Sequence, residues 1–218
     1  MYSVLQRASA KDVRLEPFPH LVIHNALPDD LCDELIATYP SLETLEARTD
    51  RNNFRWSYSA HKVENNSVIS PLWRDFIRYH ASPAFYNEIA GLFADAIVQC
   101  YPHYFPNQES VIGLRAGIRG VNDYDDSDIL LDAQISGNTP VSTHSSVRTT
   151  HIDRNDKLFS ALLYLRPDAD QSTGGDLTIS RFKPALKTPA QKRACFHGAF
   201  VDDQYTEVVQ TIPYAKNT

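Results

Sequence analysis

Between Thr150 and Arg154 the chain reads Thr-His-Ile-Asp-Arg, with a histidine and an aspartate one residue apart. In an extended segment residues i and i+2 leave the same face. His151 and Asp153 therefore present an imidazole and a carboxylate together, while Ile152 packs the other way. Mixed nitrogen and oxygen ligation suits a cation such as non-haem Fe(II), which takes two histidines and one carboxylate on one face of an octahedron and keeps the other positions open. A strand carrying a surface hydrogen-bonded pair has the same pattern, and the triplet alone does not separate the two.

The residues that follow narrow the choice. After the triplet come the polar turn and apolar run "RNDKLFSALLYL", the acidic loop "RPDADQST" and then "GGDL". Over residues 146–182 this order resembles the core of the prolyl-hydroxylase-like branch of the Fe(II)- and 2-oxoglutarate-dependent dioxygenases. In that family His-x-Asp precedes a polar turn, a strand ending in an aliphatic-aromatic-Leu pattern, an acidic loop and Gly-Gly-x-Leu. The likeness extends more loosely to "DAQISGNTP", to "PFPHLVIHNALPDDLCDEL" near the N-terminus and to "VVQTIPYAKNT".

The resemblance implies that His151 and Asp153 are ligands of Fe(II) and that Tyr164 bonds the carboxylate of 2-oxoglutarate. It also implies that Gln134 and Arg148 reach the cosubstrate or the substrate, with ascorbate as an accessory reductant. The implied reaction is hydroxylation of a C–H bond in a small molecule or a peptidyl side chain, consuming molecular oxygen and 2-oxoglutarate. A core aromatic accounts for Tyr164 about as well, and a solvated strand face for Gln134 and Arg148. Gly174 and Gly175 read as a turn with close backbone approach.

The family pattern also has a second histidine on a later strand, followed by a basic residue for the far carboxylate of 2-oxoglutarate. After "TIPYAKNT" an apolar strand and a loop come before that histidine, so both groups are expected beyond Thr218 and the chain is expected to be a fragment. His197, in "RACFHGAF", precedes the "EVVQTIPY" strand and reads as a loop histidine. His144 lies in a Ser-Thr-rich segment that gives no reason to prefer it as a ligand.

The elements that must position these groups divide the chain in two. Residues 1–108 read as a helical flank and 109–218 as a β core within one domain, a size that supports a single core. "SPLWRDFIRYH" and "SPAFYNEIAGLFADAIVQCYP" each open with serine at the N-cap and proline at the first helical position. Pro28 and two aspartates start an earlier helix in "LPDDLCDELIATYPSL". In the longest helix Phe85, Ile89, Leu92, Phe93 and Ile97 form one apolar stripe.

From residue 109 the pieces are short, β-rich and punctuated by turn residues: "SVIGLRAGI", "DILLDAQIS", "SVRTTHID", "LFSALLYLR", "DLTISRF" and "TEVVQTIPY". Without helical crossovers they are expected to pair antiparallel. The expected class is α+β or mainly β: a double-stranded β-helix (jelly-roll) core with the N-terminal helices packed outside it and its C-terminal strands missing. "PALKTPAQKRA" reads as an inserted loop.

With 27 acidic and 21 basic residues the net charge is −6, which argues against a phosphate-tracking nucleic-acid surface. No apolar run is long enough for a membrane span, and the N-terminus lacks the layout of a secretion signal, so a cytoplasmic protein is expected. Cys32, Cys100 and Cys195 are odd in number and widely spaced, which suits reduced thiols. Two other classes compete with the oxygenase: a jelly-roll binding module without redox activity, and a zinc- or manganese-dependent cupin-like enzyme. Neither accounts for the Tyr-Leu and Gly-Gly elements after the triplet.

Overall fold

The computed structural model describes residues 2–107, 110–141, 149–154 and 156–218. The first half is a helical layer: α1 (Asp29–Ala37), a short strand β1 (Arg55–Tyr58), then α2 (Ala60–Asn65), α3 (Pro71–His80) and α4 (Pro83–Cys100). The Ser-Pro pairs act as read. Ser70 accepts from the Trp73 backbone N–H and Ser82 from that of Phe85, each with proline in the first turn. Both caps satisfy N–H groups that a helix start leaves without a partner.

In the apolar stripe of α4 Phe85, Ile89 and Ile97 are buried and Leu92 and Phe93 half-buried, with Tyr86, Ala90 and Ala96 also buried on the helix. Tyr86, Ala90 and Ile97 belong to a core that takes in Leu27, Cys32 and Leu35 from the α1 region, Trp73, Phe76 and Ile77 from α3, and Ile135 from the β half. Polar atoms inside it are satisfied. The Tyr86 hydroxyl donates to the Val111 carbonyl at 2.6 Å, and the Trp73 indole N–H to the Leu35 carbonyl at 3.0 Å.

The second half carries β2 (Ala116–Ile118), β3 (Ile129–Leu131), β4 (Ile135–Asn138), β5 (Leu177–Phe182), α5 (Pro189–Ala194), β6 (Phe196–His197), β7 (Phe200–Val201) and β8 (Thr206–Ile212). The described strands pair as β1 with β4, β2 with β3, β5 with β8 and β6 with β7. The last of these is a two-residue hairpin with Gly198 at φ +67° in the first central position, a conformation that glycine adopts without a Cβ clash.

Three expectations need correction. β2 and β3 run parallel, joined through a loop rather than a helix. Arg115 makes this feasible: its backbone N–H and guanidinium both bond Asp128, which closes the base of the crossover. The segment 184–194 is not only a loop, because Thr188 and Gln191 form a capping box that starts α5. "LFSALLYLR" forms no regular strand, and its backbone is instead stitched to the C-terminal segment at Tyr164, which bonds Asn217 and Thr218. Near the N-terminus an isolated bridge joins His20 to Arg14. Among the described residues no helix is long and apolar enough to cross a membrane.

Candidate metal site

His151 sits opposite Phe200 of β7 in an antiparallel bridge. Backbone bonds flank it on both sides, Ile152 N–H to Ala199 O at 2.9 Å and Val201 N–H to Thr150 O at 2.8 Å. That pattern is the non-hydrogen-bonded kind of pair, in which facing side chains lie closest, and the two rings stand 6.0 Å apart. A short extended segment is thus tied to β7 at the triplet. Its i, i+2 geometry is seen in the side chains: His151 Nε2 faces Asp153 Oδ1 at 4.0 Å.

The partners of the two groups determine which atoms are free. His151 Nδ1 lies 2.8 Å from the Thr149 carbonyl, and because a carbonyl can only accept, Nδ1 carries the proton. In the neutral ring Nε2 then holds the lone pair. Metal-binding histidines use this same arrangement, with the far N–H fixed on a carbonyl.

On Asp153 both hydrogen bonds reach Oδ2, one from the Lys157 ammonium at 3.0 Å and one from the Ser160 hydroxyl. Oδ1 receives none among the described residues. Partial burial raises the Asp153 pKa, but the Ser160 and Lys157 bonds, the Lys157 charge and the neighbouring imidazole outweigh it. The carboxyl is held below the usual carboxylate range.

One lone-pair nitrogen and one carboxylate oxygen without a hydrogen bond among the described residues therefore face each other on side chains that are 28% and 35% exposed. Adjacent ligands at right angles on an ion with bonds near 2.1 Å stand about 3 Å apart. The observed gap is about 1 Å wider, within reach of a small side-chain rotation. The donor set fits a hard or borderline divalent cation.

Ser160, Lys157 and Tyr101, which sequence reasoning did not single out, hold this geometry. Leu158 and Phe159 pack against the core and aim Ser160 back at Asp153. The Tyr101 hydroxyl, at the end of α4, donates to the Lys157 carbonyl at 2.6 Å, which ties the loop after the triplet to the helical layer. Lys157 and Ser160 stand four and seven residues after Asp153 in an irregular loop, a spacing that carries no sequence signal.

The other expected residues lie in different surroundings. Leu163 and Leu165 pack on the core, while Tyr164 lies edge-on to Tyr214 with ring centroids 5.2 Å apart. Burial raises the Tyr164 pKa, with Asp176 adding to the effect and Arg55 opposing it. Gln134 donates to Asp132 at 2.6 Å, beside Arg119. No hydrogen bond or ring contact joins Tyr164 or Gln134 to His151 or Asp153 among the described residues. Arg148 and His144 lie outside the described residues.

His197 pairs with Phe200 across the β6–β7 hairpin, so Phe200 stands between it and His151. Two strand spacings, about 10 Å, separate the two histidine backbones. The His197 ring is 75% exposed and lies 3.7 Å from Asp202. Among the described residues no group of three His, Cys, Asp or Glu side chains is placed to hold a metal.

Gly174 and Gly175 have φ of +83° and +85°, and a Cβ on Gly175 would press on the Tyr214 ring at 3.1 Å. The close backbone approach read for this pair is seen at Gly175, while no hydrogen-bonded turn is formed there. Comparison of the chain with protein-family models, with curated proteins and with solved structures found no match.

Proposed function

We propose that this chain belongs to a non-haem Fe(II)- and 2-oxoglutarate-dependent dioxygenase with a jelly-roll core, which hydroxylates a C–H bond of a small molecule or a peptidyl side chain. The observation that carries the reading is the facing pair of donor atoms, His151 Nε2 and Asp153 Oδ1, which have no hydrogen bond among the described residues and are each fixed from behind by a hydrogen bond on the side chain's other atom. It is supported by the order of elements after the triplet, including the Gly-Gly turn. The fold assignment rests on that same order.

In this reading His151 and Asp153 hold Fe(II), which together with 2-oxoglutarate supplies the oxidising chemistry. The protein's residues orient it. Thr149 fixes the imidazole ring, and Ser160 and Lys157 fix the carboxylate. Phe200 stands beside the His151 ring across the bridge. Tyr164, Gln134 and Arg148 are assigned to the cosubstrate or the substrate. The site works with molecular oxygen and ascorbate in the cytoplasm, where Cys32, Cys100 and Cys195 stay free thiols as they are here.

The test is Fe(II)-dependent release of succinate from 2-oxoglutarate by the full-length protein over a panel of amino acids, peptides and small metabolites. Substrate-stimulated succinate release that His151→Ala and Asp153→Ala both abolish is expected. Full activity in either variant overturns the assignment. Turnover that needs zinc or manganese and ignores 2-oxoglutarate points instead to a cupin-like enzyme.

A further inference from the structure

Both hydrogen bonds to Asp153 converge on one oxygen, and the two donors differ in kind. Ser160 is neutral and follows Leu158 and Phe159, which are half-buried and pack against the core. Lys157 is a full positive charge on a flexible stem whose side chain is 50% exposed. We propose that the two have opposite effects on cation binding: Ser160 is a positioning residue that keeps Oδ1 turned toward His151, and Lys157 is a placeholder cation that the incoming metal works against. This inference rests on the metal reading of His151 and Asp153.

The physical argument is electrostatic. A carboxylate with no cation beside an imidazole is left without charge balance, and the Lys157 ammonium supplies that balance at 3.0 Å. A dication on Oδ1 is only the width of a carboxylate from the ammonium's own contact, so the two cations repel. In a site this open to solvent the repulsion is worth a factor of about ten in affinity. The hydroxyl of Ser160 carries no net charge and does not repel the metal. Its loss frees the carboxylate to rotate, and loss of such an outer hydrogen bond weakens metal binding by about tenfold or more.

The arrangement makes the metal exchangeable. The empty site keeps its carboxylate neutralised without an ion, and the bound ion is held less tightly than its ligands alone would allow. It also commits Asp153 to binding through one oxygen, because Oδ2 is occupied twice.

Titration of Mn(II) into the full chain, with free Mn(II) read by its electron paramagnetic resonance signal, tests this without any turnover. Lys157→Met is expected to bind about tenfold tighter than the wild type, Lys157→Arg within threefold of it, and Ser160→Ala about tenfold weaker. Lys157→Gln provides a second neutral variant should Lys157→Met fail to fold by circular dichroism. Lys11→Met, a neutralisation on an exposed turn elsewhere, is expected to leave the affinity unchanged. If the neutral Lys157 variants bind as the wild type does or more weakly, while His151→Ala and Asp153→Ala lose Mn(II), the placeholder role is overturned and the site stands. If the wild type binds no tighter than His151→Ala and Asp153→Ala, the metal reading fails and this inference fails with it.

Discussion

Tyr101, the residue that ends the longest helix, donates its hydroxyl to the carbonyl of Lys157 at 2.6 Å. Burial raises the Tyr101 pKa, with the nearby Cys100, Asp153 and Tyr104 adding to it, so the hydroxyl stays protonated and remains a donor at neutral pH. This bond joins the packing of Leu158 and Phe159 in fastening the loop behind Asp153 to the helical layer. Tyr101→Phe keeps the ring and removes the bond, at a loss of about 1 kcal/mol in urea unfolding. Hydrogen exchange should speed up across residues 156–160 more than in α4, and uniform protection in both would contradict the tie.

A second tie crosses nearly the whole chain. Asn217 is buried, and its side chain both accepts from the Leu27 N–H at 2.9 Å and donates to the Leu27 carbonyl at 2.8 Å. Its backbone sits at φ +62°, which glycine adopts without strain. Asn217→Gly therefore removes the two bonds while keeping the backbone. A loss of about 2 to 3 kcal/mol by denaturant titration is expected, because buried groups on Leu27 are left unsatisfied. A change below about 0.5 kcal/mol would show that water replaces the amide.

His80 gives stability a pH dependence of known sign. Its Nδ1–H is held by the Phe76 carbonyl at 2.8 Å, and its Nε2 accepts from the Val4 N–H at 3.2 Å, so the ring is neutral in the fold. Phe76, Tyr79 and Phe85 pack around it, and Glu88 is the charged group near it. Burial depresses the His80 pKa, against the opposing Phe76 bond and Glu88 charge. The unfolded chain takes up the proton near the usual value of about 6.5. Below that the unfolded state binds more protons than the fold, so stability is complete above about pH 6.5 and falls as the pH drops toward the folded pKa. Urea midpoints measured from pH 7.5 to 5 should fall more steeply for the wild type than for His80→Gln, and parallel profiles would refute the linkage.

Gly137 of β4 pairs directly with Trp56 of β1. A Cβ at Gly137 would sit 2.5 Å from the indole ring, so the glycine makes room for the tryptophan that lies across it. Gly137→Ala is expected to destabilise by about 1 to 3 kcal/mol through overpacking. Trp56→Ala in the same background should relieve most of that penalty, and additive effects would mean the two do not touch.

Legibility in the sequence followed the range of the interaction. Local rules located the helix starts at Ser70-Pro71 and Ser82-Pro83, and the close backbone approach at Gly175. The Thr188-Gln191 capping box is equally local, but its proline-rich neighbourhood reads as a loop. The i, i+2 rule put His151 and Asp153 on one face. The bond from Ser160, the Tyr101 tie and the pairing of Asn217 with Leu27 depend on where the chain returns in space, which periodicity does not encode. The parallel pairing of β2 with β3 escaped for the same reason, since it is fixed by the Arg115–Asp128 clamp across a loop.

The central claim is that the His151 imidazole and the Asp153 carboxylate grip one divalent cation through Nε2 and Oδ1. Nitrogen-15 NMR of the histidine ring, with and without Zn(II) as a diamagnetic probe, measures it directly. The account expects His151 to be protonated at Nδ1 without metal, and its Nε2 resonance alone to move to a metal-bound position when Zn(II) is added, a shift that Asp153→Ala removes. A proton found on Nε2, or a His151 ring that Zn(II) leaves unchanged, contradicts it.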